Sequence, residues 1–149
     1  MSRSISDSDL VSTFAHLGID RDSAAHYAGR LEHLLLINRC GECSTYHHPP
    51  RPMCAKCWST DVAATEVTGN GVIDLLIFLH QGPQAPGVDY STPYPVASVA
   101  LDEQAGLRFT ATVIGSPNEE IAIGQRVTLD WFDRAGVPTP AFRLVGGAA

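Results

Sequence analysis

Apolar and polar side chains alternate most clearly in the second half of the chain. In Leu107-Arg108-Phe109-Thr110-Ala111-Thr112-Val113 and in Val127-Thr128-Leu129-Asp130-Trp131 every second residue is apolar, the period of a strand with one dry face. Short runs bounded by Gly, Pro, Asn and Asp predict five strands, over residues 71–80, 96–101, 107–114, 126–132 and 140–145. No helical period interrupts them. That pattern suits a small closed or partly closed barrel, of which the OB-fold is the common five-stranded type, with a small sandwich as the alternative.

The N-terminal part has a different period. Leu10, Val11, Phe14 and Leu17 share one helical face, and Gly18 is placed to end that helix in a left-handed conformation. A second start signal at Asp20 or Asp22 leads into Ala24, Ala28, Leu31 and Leu35 at helical spacing, so residues 7–37 are expected to hold two helices. His16, His26 and His33 are expected on the helix surface. Between Cys40 and Cys57 neither period is present, and Pro49, Pro50 and Pro52 forbid a long regular element. The expected organisation is mainly β: an N-terminal helical segment over 1–38, a ribbon over 39–61 and a five-stranded OB-fold barrel over 62–146, with residues 146–149 as a loose tail.

Something other than an apolar core must hold residues 40–57 together. All four cysteines of the chain lie there, in the pattern C-x2-C-x10-C-x2-C formed by Cys40, Cys43, Cys54 and Cys57. Two C-x-x-C knuckles brought together present four thiolates in the tetrahedral shell that Zn²⁺ accepts, leaving no position open for water. One structural zinc per chain is therefore expected. Two disulfides are the competing arrangement, disfavoured in a reducing compartment. Redox dithiols would open a helix after a strand, which these proline-rich flanks oppose. His47 and His48 lie inside the ribbon but are not needed to complete the shell. Iron of the rubredoxin type is a rival occupant, distinguishable by colour.

Charge narrows the function. The chain carries a net −6, and its ten Lys and Arg residues are scattered. Residues 62–149 hold four arginines against nine carboxylates, which opposes a single-stranded nucleic-acid module, the main rival use of a ribbon joined to an OB barrel. The strongest apolar stretch, Val72 to Leu79, is far shorter than the ~18 residues of a membrane helix. The first residues lack the layout of a secretory signal, so the expected location is the cytoplasm.

Several segments carry a resemblance: Arg39-Cys40-Gly41-Glu42-Cys43, residues 50–57 (Pro-Arg-Pro-Met-Cys-Ala-Lys-Cys), Thr68-Gly69-Asn70-Gly71-Val72, Pro93-Tyr94-Pro95-Val96-Ala97, Val99-Ala100-Leu101-Asp102 and Ile123-Gly124-Gln125-Arg126-Val127. In order and spacing they resemble the zinc-ribbon/OB-fold family of acyl-CoA-associated proteins known as domain of unknown function 35, over roughly residues 25–145. The family usually places glycine after each knuckle, where this chain has Ser44 and Trp58. The resemblance implies an accessory subunit in a hetero-oligomer. Its partner would be a thiolase-fold protein (a thiolase, a synthase or a steroid side-chain aldolase) or, alternatively, a hot-dog-fold enoyl-CoA hydratase, with acyl-CoA shared between the two.

No Ser-His-Asp order, phosphate loop or H-E-x-x-H motif is present, so no catalytic residue is assigned and the chain is not expected to catalyse alone. Candidates for ligand or partner contact are four. His80 ends the most apolar strand and enters the long loop 81–93; Tyr90 and Tyr94 pair a large ring with a polar tip; Arg108 is one of four cations beyond the ribbon, with Arg126, Arg134 and Arg143, that could meet CoA phosphates. Each also has a plain reading as a solvated or packing residue.

Overall fold

The computed structural model describes residues 5–85 and 88–146. Pro86 and Gly87 of the long loop, and residues 147–149 of the expected tail, lie outside the described residues. The chain divides into two compact units, Met1–Val67 and Thr68–Ala149.

In the first unit, helix α1 (Asp7–Thr13) starts at Ser6, whose hydroxyl accepts from the Asp9 amide. Leu10 and Phe14 are buried, whereas Val11 on the expected apolar face is exposed. The helix stops at Thr13, and Gly18 is not left-handed, so it does not serve as the predicted terminator. Helix α2 (Ala24–Leu31) ends earlier than the helical spacing out to Leu35 implies, with His33 in a left-handed conformation just beyond it. From Leu35 the chain changes to a period of two: Leu35 and Ile37 are buried and strand β1 (Leu36–Cys40) begins. Five residues of β1 pair antiparallel with β3 (Val62–Glu66), and the short β2 (Tyr46–His47) covers its other edge. A cross-strand ladder satisfies backbone groups of Leu36 to Cys40 that a longer helix would satisfy internally, so tertiary pairing outweighs the local helical period.

His26 joins α2 to β1. It is buried, not at the surface as expected: only 3% of its surface remains accessible. Its Nδ1 lies 2.8 Å from the Leu36 carbonyl oxygen, and the Arg30 Nε–H donates to Nε2 over 3.2 Å. That arrangement selects the neutral ring with its proton on Nδ1. Burial pushes its pKa down to about 4, against the raising effect of the Leu36 hydrogen bond, and the charges of Arg30 and His48 push the same way as burial.

The second unit is the barrel. Strands β4 (Gly71–Leu79), β5 (Tyr94–Leu101), β6 (Arg108–Ala111), β7 (Arg126–Arg134) and β8 (Val137–Leu144) form an antiparallel sheet in the order β6-β5-β4-β7-β8. The sheet nearly closes through a parallel bridge between Val113 and Phe142, where Phe142 N–H donates to Thr112 O and Ile114 N–H to Phe142 O. Ile73, Val99, Phe109, Val127 and Phe142 fill the interior. The fold is thus the mainly β architecture expected, with two short helices ahead of it.

Two details depart from the strand pattern. A bulge between Ile73 and Leu75 flips the alternation of β4, so Leu75 and Ile77 face outward at 58% and 47% exposure. Strand β8 starts at Val137 despite Pro138 and Pro140. Even-numbered residues of β8 aim their nitrogens away from β7, as the Phe142 bond to Thr112 shows, so the two prolines remove no bond from the β7 ladder. Ala135 and Gly136, both at positive φ, make the two-residue turn of this hairpin.

The proton on His26 gives the first prediction. The unfolded chain binds it near pH 6.5 and the folded chain only near 4, so stability is full above that window and falls as pH drops through it. Between pH 7 and pH 5 the loss should be on the order of 2 kcal/mol. Urea unfolding of the zinc-loaded chain at both pH values should show this loss largely removed in His26→Gln, whose amide donates to the same carbonyl.

Candidate metal centre

Strand β1 delivers Cys40 to the first knuckle at its last residue. There Cys40 N–H donates to Thr45 O at 2.9 Å, Ser44 N–H to Cys40 O at 3.0 Å, and Cys43 N–H points at Cys40 Sγ from 3.5 Å. The second knuckle repeats this geometry: Cys54 N–H to Ser59 O at 2.9 Å, Trp58 N–H to Cys54 O at 2.9 Å, and Cys57 N–H to Cys54 Sγ at 3.5 Å. Lys56 N–H adds a further donor 3.4 Å from Cys54 Sγ. A Cβ at Gly41 would strike the Asp61 carboxylate, which would have to turn aside, while the Gly41 N–H donates to Asp61 O.

Ser44 and Trp58, which follow the two knuckles where the resemblance implies glycine, both adopt the left-handed conformation glycine would favour, with φ of 63° and 64°. The knuckle is therefore kept at the expense of backbone strain. Trp58 is 76% exposed, so packing contributes little to hold it there.

The two knuckles bring all four predicted ligands into one cluster, with sulfurs within 4.8 Å of one another. Cys40 and Cys57 sulfurs are 3.6 Å apart, and those of Cys43 and Cys54 are 3.5 Å apart. A tetrahedron with Zn–S bonds of about 2.3 Å has edges of about 3.8 Å, so the cluster fits a single zinc. Without a cation the group is electrostatically frustrated. The Thr45 hydroxyl, followed by its amide, holds Cys43 down to about 6. A hydrogen bond from Ser59 pulls Cys57 down, but burial and the other three sulfurs push it up to about 12. Four thiolates at this spacing need a metal charge to coexist.

His47 is not among the four ligands; its Nε2 lies 3.1 Å from Cys54 Sγ, as a hydrogen-bond partner of a ligand. Thr45 holds the same position toward Cys43 at 3.2 Å. Ligand spacing in the sequence carries no signal for these supporting residues, since they are set by the path of β2.

The remaining candidates lie in the barrel unit. Tyr90 and Tyr94 come together, ring centroids 6.5 Å apart. The Tyr90 hydroxyl donates to Pro83 O, and Arg134 donates to the Tyr94 hydroxyl at 2.6 Å. His80 follows the end of β4 and, with Phe78, Pro93, Asn118 and Glu119, lines a shallow recess of about 300 Å³. Arg108 is elsewhere. It pairs in register with Ala100, six residues along β5 from Tyr94, or roughly 20 Å at strand rise, and its guanidinium is 2.7 Å from Asp74. Arg126 grips Asp102 with two bonds and Arg143 holds Asp130 at 2.7 Å, which keeps both carboxyls below their usual range.

Known proteins share this organisation. Residues 28–63 match the profile of the "ChsH2, rubredoxin-like zinc ribbon domain", and residues 64–132 that of the "ChsH2, C-terminal OB-fold domain". Among solved structures, a chain of the "Ltp2-ChsH2(DUF35) aldolase" is 35% identical, with a TM-score of 0.76 over 86% of this chain and 98% of that one. A DUF35 protein of unknown function from Sulfolobus solfataricus, 11% identical with a TM-score of 0.57 over 91% of this chain and 92% of that one, shares the fold. Among curated sequences, a "Probable enoyl-CoA hydratase alpha subunit" from Thermomonospora curvata is 36% identical over 84% of this chain. A "DUF35 domain-containing scaffold protein" from Methanocaldococcus jannaschii is 29% identical over 60%. The chain spans only 38% and 61% of the lengths of these two curated relatives.

Two tests address the ribbon. Elemental analysis should find one zinc per chain and no stoichiometric iron; Cys54→Ser should lower zinc content and open residues 40–60 to proteolysis while the barrel remains folded. Ser44→Gly should relieve the left-handed strain, offset partly by a more flexible unfolded chain, and raise stability by about 0.5–1 kcal/mol in chemical denaturation.

Proposed function

Since this chain belongs to the DUF35 family of zinc-ribbon and OB-fold proteins, we propose that it is an accessory subunit of a thiolase-family acyl-CoA enzyme, a thiolase, synthase or steroid side-chain aldolase, and that it helps bind or channel the acyl-CoA. The observation that carries this reading is the likeness to the solved Ltp2-ChsH2(DUF35) aldolase over nearly the whole of that chain. Two features of this chain agree with it. Among the described residues the thiol that meets a histidine, Cys54 beside His47, belongs to the metal cluster, and that cluster has all four of its positions filled by protein sulfur. Chemistry then falls to the partner.

Tyr90, Tyr94 and His80 are the contacts assigned to that partner or to the pantetheine arm. The loop 81–93 leaves β4 at His80 and returns as β5 at Tyr94, so the tyrosine pair and the recess beside Pro93 lie at its base. Leu75 and Ile77, turned outward by the bulge, supply exposed apolar surface on the neighbouring strand. Arg108 is the weakest of the four assignments, because Asp74 already neutralises it.

A second reading is favoured by the resemblance to the probable hydratase alpha subunit: the partner is a hot-dog-fold enoyl-CoA hydratase. Co-purification with native neighbours, followed by assays for acyl-CoA cleavage and for enoyl-CoA hydration, separates the two. No helix among the described residues is long and apolar enough to cross a membrane.

Deleting residues 84–91 should impair assembly with the partner or acyl-CoA turnover while leaving the barrel folded, since the cut lies between two strands. Pull-down and circular dichroism measure the two effects. Normal assembly and turnover by the deletion variant would remove the loop from the site. Full-rate catalysis by the isolated chain would end the accessory reading.

A further inference from the structure

Arginines are unevenly engaged in this molecule. In the barrel, Arg108, Arg126 and Arg143 are paired with Asp74, Asp102 and Asp130, and Arg134 donates to Tyr94. In the first unit, Arg30 donates to His26, and Arg39 donates to Ser44 O and stacks over Tyr46. Arg21 and Arg51 differ: neither guanidinium has a hydrogen bond or ion pair among the described residues. Both line one cleft of about 410 Å³, with Asn38 and Thr60 as further polar groups and Ala25 and Val62 as apolar wall.

We propose that this cleft, wholly within the first unit, binds a phosphate-bearing ligand, with Arg21 and Arg51 as its cationic jaws and Thr60 as a neutral hydroxyl donor. The guanidinium fork matches two phosphate oxygens at once, and two arginines from separate segments, one ahead of α2 and one in the ribbon, can clamp a dianion. The cleft volume lies in the range of small-ligand sites, enough for a nucleotide end rather than a bare ion. Asp22 also lines it and opposes an anion, which predicts the sign of a further variant.

In acyl-CoA chemistry the matching group is the 3′-phosphate and diphosphate of the adenosine end; that choice of source, though not the anion site, rests on the function proposed above. The site also revises where such phosphates should be sought. Three of the four barrel arginines are paired with carboxylates and the fourth, Arg134, is held by the Tyr94 hydroxyl, whereas Arg21 and Arg51 lie in the unit that carries the zinc.

The test is calorimetric titration of the zinc-loaded full chain with inorganic phosphate, pyrophosphate, adenosine 3′,5′-bisphosphate and CoA. Saturable binding is expected, weakened at least tenfold in the R21Q/R51Q double variant and strengthened in D22N. Zinc content and circular dichroism verify that the variants fold. Tighter binding of the bisphosphate and CoA than of inorganic phosphate supports the nucleotide source; equal binding supports the same site with free phosphate as its ligand. Absence of saturable binding for all four probes, or a double variant that binds like the parent, overturns the proposal. Partner assembly is read separately by pull-down. Assembly intact with anion binding absent would overturn this site and leave the accessory role standing.

Discussion

Mutual repulsion of four thiolates is the constraint around which the first unit is arranged. Four sulfurs within 4.8 Å of one another cannot all be charged unless a divalent cation sits among them. Everything nearby serves that geometry. Amide groups of both knuckles point at sulfur, Gly41 clears space for Asp61, and Ser44 and Trp58 accept left-handed backbone so that each turn can close. The buried apolar set of this unit is small, chiefly Leu10, Phe14, Leu35, Ile37 and Val67, so folding of this unit is expected to depend on metal binding.

Legibility of the sequence follows the range of the forces involved. Ligand spacing is local, so Cys40, Cys43, Cys54 and Cys57 could be read directly. The barrel strands were legible because one face of each is buried, which imposes a period of two. Where a distant partner decides, the pattern misleads. Leu35 fits a helical stripe but is drawn into the ladder that β1 makes with β3, and His26 looks like a surface residue until the Leu36 carbonyl arrives to receive its proton. Leu75 and Ile77 sit in an apolar run whose alternation a single bulge inverts. Pro138 and Pro140 argue against a strand only if the direction of their nitrogens is unknown.

Charge placement separates the two units more sharply than net charge does. The barrel balances three arginines against carboxylates in half-exposed pairs, each worth little to stability but enough to cancel the local field. An acidic chain can therefore still offer a local cationic cleft. Among the described basic residues three arginines are paired with carboxylates, three more have neutral partners, and Arg21 and Arg51 share one cleft.

The two tryptophans of the chain fall one in each unit, and their surroundings differ. Trp58 stands in solvent directly after the ligand Cys57, whereas Trp131 is half-buried in β7 opposite Pro140. Indole emission reports solvent exposure and nearby quenchers, so the protein carries a separate optical reporter for metal occupancy in the ribbon and for melting of the barrel. A single spectrum mixes them; removing either indole resolves the other. Loss of metal and loss of fold, which activity assays would merge, thereby become two distinguishable events in one intrinsic signal.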